Sequence, residues 1–354
     1  RLAWRGAAGV ADLATGRPMR PDLRHRVGSI TKTFVATALL QLVGEGRLRL
    51  ADPVARWFPR LAGLDPRVTV RMLLNHTSGI NDYDHVIFAD PAVVEEGPHY
   101  TPWQLVAIGL DQPPTGAPGA THSYSNTNYI LAGLLLERLT GRDAAAEVTR
   151  RVLRPLGLRD TYFPGASPRI RGPHSRAYVP WVDGQPRDFT VYDVSWAWMA
   201  GGLISTTAEL NRFYRALLGG KLLRPAQLAE MRRTVPVPPV DPSDSGYGLG
   251  LLFVALPCGT FWGHDGSVLG HITISLHSPD GRRQVSYAMN LSHYQTDPDA
   301  LHPIDAALYR FLGTALCGPE PAAPAAAPER AGAVRSARPS VTLPAIESLR
   351  LPAR

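Results

Sequence analysis

Ser29 and Lys32 have the residue types and the spacing for nucleophilic catalysis. They lie three residues apart in "RVGSITKTFVATALLQLV", so both face the same side of a helix. A serine hydroxyl is a weak nucleophile unless a base takes its proton, and a lysine in an apolar pocket has its pKa lowered enough to act as that base. Chance can produce the spacing, but lysine occurs only at positions 32 and 221, which favours a functional pair.

A tyrosine and an asparagine farther along could complete this chemistry. In "SYSNTNY", Tyr124 and Asn126 precede a second apolar helix. A phenol near a lysine can pass a proton between nucleophile and leaving group, and an amide can hold both the lysine and a substrate carbonyl. The alternative is that this segment is simply a helix N-cap.

A third candidate segment, "WGHDGSVLGH", places His264, Asp265 and Gly266 on a predicted strand. A hydrogen-bonding side chain followed by glycine allows a substrate to lie along the strand edge and pair with its main chain. A buried structural histidine is the alternative interpretation.

The element order must bring these segments together. The helix after Ser29 is apolar on nearly every side and ends at "GEG", which predicts a buried helix. Helical segments separated by Pro and Gly follow, and strand patterns begin after about residue 245, with "SPDG" as a hairpin turn. A last helix is predicted in "HPIDAALYRFLGTAL". We therefore predict an α+β fold in which helices flank an antiparallel sheet and an all-helical region is inserted.

This order divides the chain into three predicted parts. Residues 1–45 and 240–318 would form the sheet-containing part of the catalytic domain, and residues 46–239 the mainly helical region. Residues 319–354 are dominated by alanine and proline, which predicts a disordered tail.

Length and composition limit the classes of function. A chain of 354 residues with 44% hydrophobic residues can bury a large core without metals. The net charge is +7, but the arginines are scattered without a basic run, which argues against nucleic-acid binding. The longest apolar run is too short to span a bilayer, and no pair of histidines has metal-ligand spacing, so we expect no cofactor. Cys258 and Cys317 could be free thiols or one disulfide.

In this order, the three motifs resemble those of the penicillin-recognising serine hydrolases, the β-lactamase-related family. The resemblance covers about residues 9 to 318 and includes "LLNHTSGI", "LRPLGLRDTYF", "SWAWMAGGLISTTAEL" and "GYGLGL". Within that family the motifs are most similar to those of secreted serine D-alanyl-D-alanine carboxypeptidases. The resemblance implies a fold of the β-lactamase and penicillin-binding-protein type.

The resemblance also implies a role for each candidate residue. Ser29 would be the acylated nucleophile and Lys32 its base, while Tyr124 and Asn126 would relay the proton and contact the substrate amide. His264 and Gly266 would form the strand motif. The backbone N–H groups of Ser29 and Ser267 would form the oxyanion hole.

Other residues receive supporting roles from the resemblance. Trp196 would line the cleft, with a core aromatic as the alternative interpretation. His76 and Ser78 would be structural, and Cys258 would pair with Cys317 in a disulfide.

Three features depart from the carboxypeptidase pattern. The chain begins inside what would be the second strand, so we expect the first helix and strand of the family to be absent from this sequence. Asp265 replaces a usual threonine. Leu252 stands where an arginine would bind the terminal carboxylate of the substrate, which predicts weak recognition of a free carboxylate.

The expected reaction is acyl transfer through a serine ester, first of all hydrolysis of D-Ala-D-Ala-like cell-wall peptides. One alternative is a D-amino-acid-specific aminopeptidase or amidase, or a carboxylic ester hydrolase, on the same fold. Another is a penicillin sensor that acylates without turnover. The expected partners are a peptidoglycan stem peptide or a related D-amino-acid peptide or ester, with β-lactams as acylating inhibitors. We expect a secreted or extracytoplasmic monomer whose signal peptide is not part of this sequence.

Overall fold

The structure is a computed structural model that describes residues 4–89, 97–181, 184–295 and 302–318. The predicted tail, residues 319–354, lies outside the described residues. The strands are β1 (Val10–Asp12), β2 (Arg17–Pro18), β3 (His25–Arg26), β4 (Tyr178–Pro180), β5 (Pro186–Asp188), β6 (Ile204–Ser205), β7 (Val235–Pro236), β8 (Ser245–Tyr247), β9 (Leu252–Leu256), β10 (Gly259–Val268), β11 (His271–His277) and β12 (Gln284–Met289).

The described residues also form helices of three to fifteen residues. They are α1 (Thr31–Gly44), α2 (Val70–Leu74), α3 (Asp84–Ile87), α4 (Pro102–Asp111), α5 (Asn126–Thr140), α6 (Ala144–Val148), α7 (Arg154–Leu156), α8 (Trp198–Gly201), α9 (Thr207–Leu218), α10 (Pro225–Met231) and α11 (Pro303–Cys317). Short 3₁₀ turns span Gly28–Ile30 and Val54–Arg56. Among the described helices, none combines the length and apolar character needed to cross a bilayer.

The main sheet has six antiparallel strands in the order β12-β11-β10-β9-β8-β7. The predicted hairpin is confirmed, because the residues "SPDG" connect β11 to β12, and the backbone N–H of Ser278 donates to the carbonyl of Arg283. The opening segment of the chain forms the separate β1-β2 hairpin. These elements confirm the predicted α+β class.

Two apolar clusters hold the elements together. The first surrounds α1, whose side chains are buried on nearly all sides as the sequence predicts, and it also includes apolar side chains of α5 and α9. The second, which we call the C-terminal core, joins strands of the main sheet to α11 and is formed by Val237, Tyr247, Leu252, Val254, Phe261, Ile274, Leu276, Val285, Leu308, Leu312 and Leu316.

A disulfide between Cys258 and Cys317 joins the β9-β10 turn to the end of α11. The Cα atoms of the two cysteines are 5.4 Å apart, within the usual range for such a bond. The pairing implied by the family resemblance is therefore present, and both described cysteines are used.

Candidate active site

Ser29 and Lys32 meet at the start of α1, with Ser29 in the 3₁₀ turn that leads into the helix. The Lys32 side chain is fully buried, and its Nζ lies 2.9 Å from Ser29 Oγ, 2.6 Å from Asn126 Oδ1 and 2.8 Å from the carbonyl oxygen of Ala200. Carbonyl oxygens can only accept, so two N–H bonds of a neutral amine satisfy the last two contacts. The amine lone pair is then free to accept the Ser29 proton.

The pKa of Lys32 fits the role of a base. Burial lowers it from its ordinary value to about 7, while the negative charges of Asp82, Asp84 and Asp265 act in the opposite direction. A substantial fraction of the amine is therefore neutral near pH 7. Lys32 can take a proton from Ser29 without a separate activating group.

Asn126 connects Lys32 to two buried carboxylates. Its Oδ1 accepts from Lys32, and its Nδ2 donates to Asp84 Oδ2 at 2.7 Å and to Asp82 Oδ2 at 3.1 Å. Both amide hydrogens are thus already used, so the predicted contact between Asn126 and the substrate amide is not available in this arrangement. Asn126 instead positions Lys32 while it lines the cavity beside Ser29.

Tyr124 lies over the lysine, with Lys32 Nζ 4.8 Å from the centre of the Tyr124 ring. Its hydroxyl is buried and forms no hydrogen bond of normal geometry, although the Ser29 hydroxyl lies close enough to interact with it. Burial raises the pKa of Tyr124 well above its ordinary value, and the Ser29 hydroxyl partly offsets this shift. The phenol is therefore protonated at neutral pH, as a proton donor to a leaving group must be.

Strand β10 runs directly against the Ser29 turn because two glycines allow the approach. A Cβ on Gly266 would lie 2.8 Å from the backbone nitrogen of Ser29, and a Cβ on Gly28 would lie 2.8 Å from the backbone nitrogen of Ser267. The two nitrogens therefore belong to segments in direct contact. Contact between these segments is a necessary condition for the predicted oxyanion hole of Ser29 and Ser267.

His264 and Asp265 are placed differently from the sequence-based expectation. Both are buried, and neither lines the cavity beside Ser29. His264 Nε2 is 2.8 Å from the hydroxyl of Tyr247, and its Nδ1 contacts the carbonyl oxygen of Asp265. Both ring nitrogens of His264 are therefore engaged within the protein, and the ring links β10 to Tyr247 at the end of β8.

Trp196 and Leu252 lie in different places, although both were predicted to contact substrate. Trp196 lines the cavity and packs edge-on against Phe88, with ring centres 4.8 Å apart. Leu252 pairs with Gly263 and Tyr247 in the sheet and is 3% exposed within the C-terminal core. The expected position of Leu252 in the cleft is therefore corrected, because its side chain packs among apolar residues.

The segment before α5 is held by His76 and Ser78, which were predicted to be structural. His76 Nδ1 lies 3.2 Å from the backbone nitrogen of Ser125, and Ser78 Oγ donates to Asn128 Oδ1 at 2.6 Å. Burial lowers the pKa of His76 well below its ordinary value, so the ring is neutral and can accept a hydrogen bond. These contacts fix the backbone on both sides of Asn126.

The sequence analysis missed three partners of Lys32 and Asn126, namely Asp82, Asp84 and the carbonyl group of Ala200. A signal was present in "GINDYDHV", where two acidic residues occur two positions apart directly after "LLNHTSG". Their contacts with Asn126 span more than forty residues of sequence. Spacing alone did not indicate that they would share a buried site.

The cavity beside Ser29 and the fold around it define a class of protein. The lining residues are Ser29, Tyr83, Asp84, Asn126, Trp196, Ala197, Ala200, Gly201, Ser267 and Val268. The beta-lactamase family matches residues 1–309. The chain thus belongs to the beta-lactamase family.

Particular relatives share different parts of the chain. A D-stereospecific amidohydrolase from a Streptomyces species is 41% identical, with a TM-score of 0.72 over 77% of this chain and 83% of the other. D-amino acid amidase from Ochrobactrum anthropi SV3, solved with D-phenylalanine, is 27% identical. Its TM-score is 0.74 over 87% of this chain and 89% of the amidase.

A curated relative, Esterase EstB from Burkholderia gladioli, is 38% identical over 206 residues, which is 54% of this chain and 50% of the esterase. The chain spans about half to two thirds of the length of the first curated relatives that it matches.

Proposed function

We propose that the protein is an amidohydrolase that cleaves amide and ester bonds at the carbonyl group of D-amino acids. The observation that carries this proposal is the composition of the cavity beside Ser29. Its lining includes Ser29, whose hydroxyl contacts Lys32, and a buried carboxyl group, and among the described residues that line it there is no arginine, lysine or histidine. A carboxypeptidase must bind a free terminal carboxylate, for which such a cation is the usual partner.

The comparisons support the same choice of substrate class. One related structure is named a D-stereospecific amidohydrolase and another a D-amino acid amidase, and the curated relative is named an esterase. A single acyl-enzyme mechanism can process both amides and esters. The D-Ala-D-Ala carboxypeptidase reaction, which was our first expectation, thus becomes the competing outcome of the test below.

In the proposed mechanism, Ser29 Oγ attacks the substrate carbonyl carbon while neutral Lys32 takes the hydroxyl proton. The resulting oxyanion is stabilised by the backbone N–H groups of Ser29 and Ser267. The bond from carbon to the leaving nitrogen or oxygen then breaks, and Tyr124 donates a proton to the leaving group and regains one from Lys32. Water attacks the serine ester by the same route in reverse, which releases the acid and restores Ser29.

Kinetic measurements with a small substrate panel test this proposal. We expect D-phenylalanine amide and D-phenylalanine methyl ester to be cleaved at higher kcat/KM than L-phenylalanine amide and acetyl-D-Ala-D-Ala. Preference for acetyl-D-Ala-D-Ala would overturn the proposal in favour of a carboxypeptidase. A penicillin adduct that forms without turnover of any panel member would identify a sensor instead.

A labelling experiment identifies the nucleophile. Intact-mass analysis after exposure to a fluorescent penicillin should show one adduct in the wild type and none in Ser29→Ala. The exposed residue Ser243 provides the control, and Ser243→Ala should be labelled at the wild-type rate. Circular dichroism checks that both variants are folded.

We also propose that the protein acts outside the cytoplasm. The Cys258–Cys317 disulfide supports this location, because such bonds persist in oxidising compartments. Thiol titration of protein purified from its natural host under alkylating conditions tests the proposal. Two free thiols would contradict it.

A further inference from the structure

One oxygen atom of Asp84 has no partner although it is buried in the wall of the catalytic cavity. Asp84 is 4% exposed, and its Oδ2 accepts from Asn126 at 2.7 Å. Its Oδ1 has no hydrogen-bond partner. The residue lines the same cavity as Ser29, where the substrate must bind.

The neighbouring carboxylates show that this situation is specific to Asp84. Both oxygens of Asp82 are engaged, since Oδ1 accepts from the backbone nitrogen of Asp84 and Oδ2 accepts from Asn126. Asp265 is also buried without a hydrogen bond to its carboxyl group, but it does not line the cavity and it lies 3.5 Å from His264 Nδ1. Among the described acidic residues, Asp84 is thus the one that both lines the cavity beside Ser29 and has an oxygen without a hydrogen-bond partner.

An ionised Asp84 is unfavourable in the free protein, because burial and the charge of Asp82 raise its pKa well above the ordinary value and its Oδ1 has no donor. Lys32 does not supply the missing donor, since its three contacts go to Ser29, Asn126 and Ala200. A substrate that brings a positively charged donor would restore both the hydrogen bond and the charge balance.

We propose that Asp84 binds the free α-ammonium group of the substrate and so selects unblocked D-aminoacyl amides and esters over N-acylated ones. This inference rests on the proposed function, in which the acyl part of the substrate is an amino acid. The ammonium nitrogen of an aminoacyl group is only about 2.5 Å from its carbonyl carbon. A counter-charge for it must therefore lie in the same cavity as the nucleophile, as Asp84 does.

The apolar part of the cavity is compatible with the rest of such a substrate. Trp196, Ala197 and Val268 provide a wall for the amino acid side chain. Tyr83, the residue before Asp84, donates its hydroxyl to the carbonyl oxygen of Trp196, which ties this wall to the acidic segment. The aromatic wall and the carboxylate are thereby held at a constant separation.

The test compares a free amine with its N-acetyl form in otherwise identical substrates. The ratio of kcat/KM for D-phenylalanine p-nitroanilide to that for N-acetyl-D-phenylalanine p-nitroanilide should exceed one in the wild type. In Asp84→Asn it should fall by about 10- to 100-fold, the effect of one charge-assisted hydrogen bond. An unchanged ratio would overturn the inference.

Asp82→Asn is the matched variant. It removes a second carboxylate that contacts Asn126 but leaves the free oxygen of Asp84 in place. We expect it to lower the activity toward both substrates while the ratio changes by less than about threefold, because Asp82 does not line the cavity. An equal loss of the ratio in both variants would show that total negative charge, and not Asp84 itself, selects the substrate.

A second measurement separates this inference from the proposed function. D-alaninamide and N-acetyl-D-alaninamide are compared for protection of Ser29 against a fluorophosphonate probe, which requires no turnover of either amide. Selective protection by the free amine, lost in Asp84→Asn, supports the inference even if the preferred reaction is not amide hydrolysis. If the amides are cleaved but protection and kinetics do not distinguish the two forms, the proposed function stands and the role of Asp84 is wrong.

Discussion

The catalytic cavity and the C-terminal core are equally buried but are built from opposite chemistry. In the C-terminal core, apolar side chains of the sheet pack against those of α11, and the Cys258–Cys317 disulfide joins the β9-β10 turn to the end of this helix. Around Lys32, many of the buried side chains are charged or polar, and one Asp84 oxygen has no hydrogen-bond partner.

This contrast indicates that the C-terminal core contributes mainly to stability and the catalytic cavity mainly to the reaction. Apolar burial stabilises the fold in proportion to the area removed from water. Buried polar groups cost free energy unless they are paired, and unpaired ones are typical of sites that receive their partner from a ligand. We therefore expect substitutions near Lys32 to reduce the reaction rate and substitutions in the C-terminal core to reduce stability.

The largest effect is expected from the proton-transfer pair. Lys32→Ala and Tyr124→Phe should each lower kcat/KM by about 10²- to 10⁴-fold, because each removes a general acid-base group. The double variant should lose little more than the worse single variant, since the two side chains act on the same proton. Steady-state kinetics with D-phenylalanine methyl ester measures all three losses.

Two residues provide controls for this pair. Lys221 is the only other lysine and is exposed, and Tyr192 is another buried tyrosine whose hydroxyl has no partner. Lys221→Ala and Tyr192→Phe should retain wild-type activity within a few fold. Losses from Lys32→Ala and Tyr124→Phe that multiply in the double variant would contradict a shared role.

The second prediction concerns the C-terminal core. The double variant Cys258→Ser, Cys317→Ser opens a loop with a sequence separation of 59 residues. In the chain-entropy model the free energy of unfolding should fall by about 4 kcal/mol. Urea denaturation measures this loss, with the reduced wild type as the control.

At a temperature where this double variant is folded, its kcat/KM should stay within about twofold of the wild type, since neither cysteine lines the cavity. A large loss of activity in the folded variant would contradict the conclusion that the C-terminal core affects stability but not the reaction.

The smallest effect is expected from pH. The neutral form of Lys32 is the base, and burial lowers the pKa of this lysine to about 7. The value of kcat/KM should therefore be highest above about pH 7 and fall about tenfold per unit below it, as the amine becomes protonated. Circular dichroism over the same pH range controls for unfolding. A flat profile between pH 5 and 8 would contradict Lys32 as the base.

The amino-acid sequence by itself determined the local part of this site and the class of the fold. The Ser29 and Lys32 pair was predictable because residues three apart in a helix turn are neighbours whatever surrounds them. The buried character of α1 and the hairpin at "SPDG" follow from equally local patterns. The order of the three motifs was sufficient to indicate the family.

Only the tertiary structure decided which polar atoms are paired and which remain free. Asn126 meets Lys32 across 94 residues, and Ala200 meets it across 168, so neither contact can be inferred from spacing. Leu252 and His264 illustrate the same limit, because a strand position predicts a face of the sheet but not the neighbours on that face. The two oxygens of Asp84 show the same dependence on tertiary structure, because one accepts from Asn126, 42 residues away, and the other has no hydrogen-bond partner.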